Sequence, residues 1–258
     1  MGILNVTPDS FSDGGEFLDP QTASARARAL VEEGADLIDV GGESTRPGAE
    51  PVSVDEELKR VLPVIEDLAG RLPVPISIDT SKAQVAQAAL KAGASLVNDV
   101  TALRDPEMPA VVARAQVPVI LMHMRGNPQT MQSQCRYDRL IPEILEELKP
   151  CIEKARRAGI ADDQILLDPG IGFGKSPEQN LTLLKNLREL KVLGFPLVVG
   201  PSRKSFIGHV LNLPVEERLL GTAAAVALGV AHGADILRVH EVSAMKQVVR
   251  MAEAILHS

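Results

Sequence analysis

The chain has 258 residues, of which 45% are hydrophobic and 24% charged, with a formal net charge of −7. That is ordinary globular composition, which excludes wholesale disorder and fibrous repeats. Six rings on an acidic chain (Phe11, Phe17, Tyr137, Phe173, Phe195 and Phe206) leave little material for phosphate neutralisation or base stacking, so no nucleic acid partner is expected. The longest strongly apolar run, Leu219 to Ala231, falls short of the roughly 18 residues a spanning helix needs, so no membrane partner is expected either. The first residues show neither a basic n-region nor a sustained apolar core, so no signal peptide is expected. Cys135 and Cys151 share no tight motif, which points to two unpaired thiols in a reducing, cytoplasmic setting.

Short β-branched and leucine-rich runs alternate with longer amphipathic stretches. Taken in chain order, strand 2–6 precedes a helix near 21–34, and strand 37–41 precedes one near 53–69. Strands 75–79, 96–100 and 118–123 lead into helices near 82–92, 107–115 and 137–158. Strands 165–168, 196–200 and 236–240 lead into helices near 177–190, 216–231 and 243–257. Apolar runs of this length suit strands buried on both faces, as in a parallel sheet wrapped by helices. Strict alternation of strand and helix is the mark of an α/β fold. Eight such units in one chain of this length predict a closed (β/α)8 TIM barrel, a single domain over 1–258. An open doubly wound sheet is the alternative. It would carry a glycine-rich fingerprint after strand 1, where Asn5-Val6-Thr7-Pro8-Asp9-Ser10 stands instead. Gly34, Gly93, Gly159 and Gly233 each precede a strand, as left-handed helix C-caps would. Strand 1 is expected to begin at the second residue, which would leave nothing to cover the bottom of the barrel. Residues that longer relatives carry, or a start further upstream, are the two accounts.

Chemistry in such barrels is built at the C-terminal ends of the strands. There the chain places Asn5, Asp39, Glu43, Asp79, Asn98, Asp99, His123, Asp168, Ser202, Arg203, Lys204, Arg238 and His240. A lone Asp ending a strand is often only the N-cap of the next helix. All eight strands delivering polar groups to one rim is better explained by a ligand. Arg46, Arg203, Lys204, Arg238 and His240 form a basic group on an acidic chain, as an anionic substrate requires. Arg238 and His240 share a facing and stand after strand 8, where phosphate sites recur in this fold. A structural pairing of Arg238 with a neighbouring Asp is the competing account. Asp79, Asp168 and Asn98 offer the donor and acceptor row that an amino-pyrimidinone edge would match. The loops 7–15 and 41–48, rich in Gly, Ser and Thr, are expected to fold over a ligand. His123 has no second ligand at metal spacing and is expected to be a satisfied rim histidine.

Asn5 to Gly15, Gly42-Glu43-Ser44-Thr45-Arg46-Pro47-Gly48, Ser77-Ile78-Asp79-Thr80, Asn98-Asp99, Asp168-Pro169-Gly170-Ile171-Gly172-Phe173-Gly174-Lys175, Ser202-Arg203-Lys204-Ser205 and Arg238-Val239-His240 closely resemble the dihydropteroate synthase family. The resemblance spans essentially the whole chain. It implies a folate-pathway transferase that joins 4-aminobenzoate to 6-hydroxymethyl-7,8-dihydropterin diphosphate, releasing pyrophosphate and 7,8-dihydropteroate. Carried over by motif, it implies a pterin pocket of Asp79, Asn98, Asp168 and Lys204, lined by Met122 and Gly200. It implies Asn5 as the Mg2+ ligand and Arg46, Arg238 and His240 on the diphosphate. Thr45, Pro47, Phe173, Ser202 and Lys204 resemble the 4-aminobenzoate contacts, where sulfonamides compete in the family. Catalysis is expected from Asp79, Asp168, Lys204, Arg238 and His240. Family members are usually homodimers, and Leu219 to Ala231 with helix 243–257 is the expected interface.

Three rival functions stand beside this. A pterin-binding corrinoid methyltransferase shares the barrel and pterin pocket, but has no use for a diphosphate clamp. A Schiff-base aldolase using Lys204 leaves the first two loops unexplained. A binding barrel without turnover would keep the same residues.

Overall fold

The computed structural model describes residues 1–7, 20–46 and 48–258. In chain order the elements are β1 (Gly2–Asn5), α1 (Pro20–Glu32), β2 (Ile38–Gly41), α2 (Val54–Leu68), β3 (Ile76–Asp79), α3 (Ala83–Ala92), β4 (Leu96–Asp99), α4 (Met108–Ala115) and β5 (Val119–Met122). They continue as α5 (Leu140–Arg157), β6 (Ile165–Asp168), α6 (Pro177–Lys185), the single turn α7 (Leu187–Leu190), β7 (Val198–Val199), α8 (Ser205–Leu211), α9 (Leu219–Ala231), β8 (Ile236–Leu237) and α10 (Val242–Leu256).

Every strand pair is parallel. β1 through β6 are hydrogen-bonded in sequence order, and β7 pairs with β8. Two single bridges join these groups, Leu167 to Leu197 and Gly2 to Val239. The backbone bonds at the seams are full-strength, with Leu167 N–H on Pro196 O at 2.9 Å, Ile3 N–H on Val239 O at 3.0 Å and Val239 N–H on Met1 O at 3.0 Å. The ring therefore closes, and the (β/α)8 barrel expected from the alternation is the fold.

Outward strand residues such as Leu4, Ile38, Val40, Ile78, Val97, Leu121 and Leu167 pack under the helices in one continuous core. The helices turn apolar stripes toward them; on α2 these are Val61, Val64, Ile65 and Leu68, all fully buried. Ser53 caps α2 by accepting from Glu56 N–H at 3.2 Å, and three acidic residues in its first turn favour the helix dipole. Gly93 shows why a glycine ends α3. Its φ is +116°, and a Cβ there would lie 2.4 Å from Ala69 Cβ. Gly34, Gly159 and Gly233 are also left-handed, as expected.

The differences from the predicted elements are local. The helix expected over 177–190 breaks at Asn186 into α6 and α7. The helix expected from 216 begins at Leu219, after a 3-10 turn at Val215–Glu217. An unanticipated helix, α8, follows the Ser202-Arg203-Lys204 loop; its seven residues are too few to show helical periodicity in the sequence. Cys135 and Cys151 are unpaired. Among the described residues, no helix is long and apolar enough to cross a membrane.

Candidate active site

The inward side chains of the barrel form layers. The lower layer is apolar, with Met1, Leu37, Leu96, Ile120, Leu166 and Val198 packed against Ile236. Side chains two residues further along a strand point the same way. Those positions are Ile3, Asp39, Asn98, Met122, Asp168, Gly200 and Arg238, with Asn5, Gly41 and His240 at the mouth beside Asp79. An apolar floor thus carries a polar layer at the end where the strands stop.

Arg238 is the centre of that layer. Its Nε donates to Asp39 Oδ2 at 2.6 Å and its Nη2 to Asp79 Oδ2 at 2.7 Å. Asn98 Nδ2 donates to the same Asp39 oxygen at 3.0 Å. Asp39 is fully buried and Asp79 is 8% exposed. Burial pushes the Asp79 carboxyl up to about 7, against the pull of Arg238. Burial alone would lower the Arg238 pKa, but Asp39 and Asp79 more than offset it and hold the guanidinium charged. Two glycines leave this group uncovered. A Cβ on Gly41 would sit 3.4 Å from Asp79 Cβ, and one on Gly200 would sit 3.7 Å from Arg238 Cβ. The pairing of Arg238 with an Asp, the competing account of this residue, is therefore present, and it lies inside the site.

The β6 loop supplies the second wall. Asp168 Oδ1 accepts from Gly170 N–H at 2.7 Å, and burial raises the carboxyl's pKa. Lys204 Nζ donates to Ile171 O and lies 4.4 Å from the centre of the Phe173 ring. Burial lowers Lys204 to about 8, with Asp168 pulling the other way. Phe173 packs against the buried cluster of Val100, Met122, Met124 and Met131. Lys204, Phe173, Asp168 and Met122 thus stand along one side of the mouth.

The third side comes from the β7 and β8 loops. Ser202 Oγ lies 2.8 Å from His240 Nδ1 and accepts from His240 N–H at 3.3 Å. His240 differs from its expected part in the basic group. Burial, reinforced by Arg238, Arg203, Arg46 and Lys204, lowers it to about 4, so it is neutral at pH 7 and acts as a hydrogen-bonding group. Arg203 is committed elsewhere, in an ion pair with Glu241. Its left-handed backbone (φ 55°) is held by Thr222 Oγ1, which accepts Arg203 N–H, and by Arg218, which donates to Arg203 O. Arg46 is exposed and Thr45 half-buried on the β2 loop. A half-buried ion-pair group pins the base of that loop, since Lys82 Nζ meets Glu43 at 2.7 Å and also the buried Glu57. Gly48 N–H on Pro128 O ties the loop to the one after β5. Pro47 and the 8–15 part of the first loop lie outside the described residues.

Asp99, expected on the rim with Asn98, faces outward and caps its own turn. Its carboxylate accepts Thr101 N–H, Thr101 Oγ–H and Leu103 N–H at 2.7–2.8 Å. His123 bonds Glu147 and Lys175, each at 3.0 Å. Two buried charged residues carry no role in the expectations drawn from the sequence. Asp39 was placed on the rim without a role, although it stands one inward position above Leu37. Lys175 was visible only as the last letter of a glycine-rich motif.

Among the described residues no three His, Cys, Asp or Glu side chains gather to hold a metal. Asn5 is half-buried at the end of β1 and offers a single hard oxygen. That donor set fits Mg2+, which keeps several waters and takes substrate phosphate oxygens, and does not fit a metal needing a full protein cage.

Comparison with known proteins agrees with this fold. Residues 1–240 match the family described as pterin binding enzyme. A dihydropteroate synthase of Synechocystis sp. is 55% identical over 257 residues, covering 99% of this chain and 89% of its own. The crystal structure of Yersinia pestis dihydropteroate synthase with a sulfonamide drug superimposes with a TM-score of 0.96 at 46% identity, covering 100% of this chain and 94% of that one. The Xanthomonas albilineans enzyme in complex with 7,8-dihydropteroate gives 0.90 at 43% identity, covering 100% and 93%. The chain belongs to the dihydropteroate synthase family of pterin binding enzymes.

Proposed function

We propose that residues 1–258 act as one pterin-binding barrel that condenses 6-hydroxymethyl-7,8-dihydropterin diphosphate with 4-aminobenzoate. The observation that carries this is Arg238, which joins two buried carboxylates at the floor of a polar mouth and keeps its Nη1 unspent among the described residues. A corrinoid methyltransferase has no need of such a cation between a ring pocket and the β8 loop.

Asp79, Asn98, Asp168 and Lys204 bind the polar edge of the pterin, against Met122 and the open floor at Gly200. Arg46, Arg238 and the neutral His240 hold the diphosphate together with Asn5. Thr45, Pro47, Phe173, Ser202 and Lys204 receive 4-aminobenzoate, and sulfonamides compete there, as the drug complex of the Yersinia pestis enzyme supports. The methylene C–O bond breaks with its electron pair leaving on pyrophosphate. The amine nitrogen's lone pair forms the new C–N bond, and the amine loses a proton to solvent or to pyrophosphate. Asp79 and Asp168 face the positive charge that develops on the pterin, while Arg238 and Arg46 face the leaving anion. The aniline nitrogen is neutral at pH 7 and needs no strong base. Asn5 would hold Mg2+, which would supply neutralisation of the diphosphate charge.

The test is pyrophosphate release from the dihydropterin diphosphate with Mg2+, with and without 4-aminobenzoate. Amine-dependent release with dihydropteroate formed is expected; binding without release would leave a non-catalytic barrel. Asn5→Ala is expected to raise the Mg2+ needed for half-maximal rate by at least the roughly tenfold that losing even an outer-shell partner costs. An unchanged Mg2+ titration would remove Asn5 from that role.

The enzyme is proposed to be a cytoplasmic homodimer. Leu220, Leu228, Met251 and Ile255 stand 52–80% exposed on α9 and α10, an apolar face of the kind that copies cover. Leu228→Glu with Met251→Glu is expected to sediment as a monomer, and a surviving dimer would move the interface elsewhere.

A further inference from the structure

Lys175 is only 3% exposed, yet no carboxylate pairs with it among the described residues. Burying an ammonium is costly unless each of its protons finds an acceptor. Here all three do. Nζ donates to Gly170 O at 3.1 Å, to Phe173 O at 3.0 Å and to His123 Nδ1 at 3.0 Å. Two of these acceptors belong to the β6 loop itself and the third to the end of β5.

The third acceptor is held in place from behind. His123 Nε2 lies 3.0 Å from Glu147 Oε2, so the ring proton sits on Nε2 and the Nδ1 lone pair faces Lys175. Burial lowers His123 to about 4, which keeps that lone pair available. Arg125 Nε donates to Glu147 Oε1 at 2.9 Å and Arg125 Nη2 to Glu143 Oε2 at 2.7 Å, fixing Glu147 in turn.

The loop this brace holds has little stiffness of its own. Gly170, Gly172 and Gly174 all have positive φ, at 71°, 84° and 58°. Gly170 also passes so close to β5 that a Cβ would lie 1.9 Å from His123 O. Phe173 sits between these glycines, and Asp168 opens the segment.

We infer that Lys175 is a positioning residue for the condensation, bracing the β6 loop from below through His123 so that Phe173 stands in register for the incoming amine. This rests on the proposed contact of Phe173 with 4-aminobenzoate. Lys175 touches no substrate.

Lys175→Met keeps length and removes the donors. It is expected to raise KM for 4-aminobenzoate about tenfold or more. Binding of the dihydropterin diphosphate alone, measured by calorimetry, should change less than threefold. A purely structural lysine would shift both substrates alike or neither, and either result overturns the inference. In a Phe173→Ala background, which by itself raises the same KM, Lys175→Met should add little. A fully additive effect would sink the route through Phe173. Phe173→Ala leaving KM unchanged would overturn the contact reading, and the Lys175 role with it. Glu147→Gln, at an exposed position, covers the case in which Lys175→Met does not fold. It should raise the 4-aminobenzoate KM in the same direction with an unchanged melting temperature, and an unchanged KM would count against the brace.

Discussion

An Asp79→Asn enzyme is expected to lose about 10²–10³-fold in turnover while its affinity for the dihydropterin diphosphate falls by less than about tenfold. Asn keeps the shape of the side chain and an oxygen for Arg238 Nη2, which sits 2.7 Å from the native carboxylate. It can still hydrogen-bond a neutral ring edge. What it lacks is a full negative charge in a site 8% exposed, where a charge acts on a developing cation with little solvent screening. Equal losses in turnover and affinity would show that Asp79 binds the ring and does nothing more at the transition state. The pH profile carries the same information. Burial raises the carboxyl to about 7, so the ionised form grows as pH rises through that value. kcat/KM of the parent enzyme should therefore climb across neutrality, and the Asp79→Asn profile should lack that limb.

The polar layer that places Asp79 was legible in the sequence because a parallel barrel strand shows its two faces in alternation. Leu96 then Asn98, Leu166 then Asp168, and Ile236 then Arg238 then His240 are all apolar-to-polar steps at period two. The partner of Arg238 was less legible. Asp39 lies 199 positions away and meets Arg238 only because β8 closes on β1 beside β2, a fact of ring closure that no local pattern carries. The charge of His240 was hidden for a related reason. Its residue type announces a basic group, but burial among Arg238, Arg203 and Arg46 decides that it stays neutral. Lys175 could have been suspected, since a lysine closing a loop in which every second residue is glycine has carbonyls within its reach. What the sequence did not reveal was that Nζ would be sealed from solvent. The ends of strand 7 were overestimated because Pro196 and Pro201 bound it, and only Val198–Val199 forms a regular ladder.

Arg238→Met should be the most destabilising single change in the site, at about 3–5 kcal/mol near neutral pH, because it strands buried charge that one cation had served. For a chain of this size that corresponds to a melting temperature lower by on the order of 10 °C. The penalty should depend on pH, and the sign follows from Asp79. Its carboxyl is raised to about 7 even with the guanidinium in contact, and Arg238 is the first of the groups pulling it down. Without that pull the folded-state pKa rises further above the ordinary carboxylate value near 4. From there upward the folded state holds a proton that the unfolded chain has released, so stability falls as pH rises through that window. The melting temperatures of parent and variant should lie closest near pH 5 and separate toward pH 8. Adding Asp39→Asn to Arg238→Met removes the fully buried partner that cannot reach solvent, and part of the lost stability should return, a coupling that independent sites would not show. A gap of the same size at both pH values, with no recovery in the double variant, would mean that Arg238 supports the barrel through packing of its stem. Its proposed charge on the leaving diphosphate would then be separable from the carboxylates beneath it.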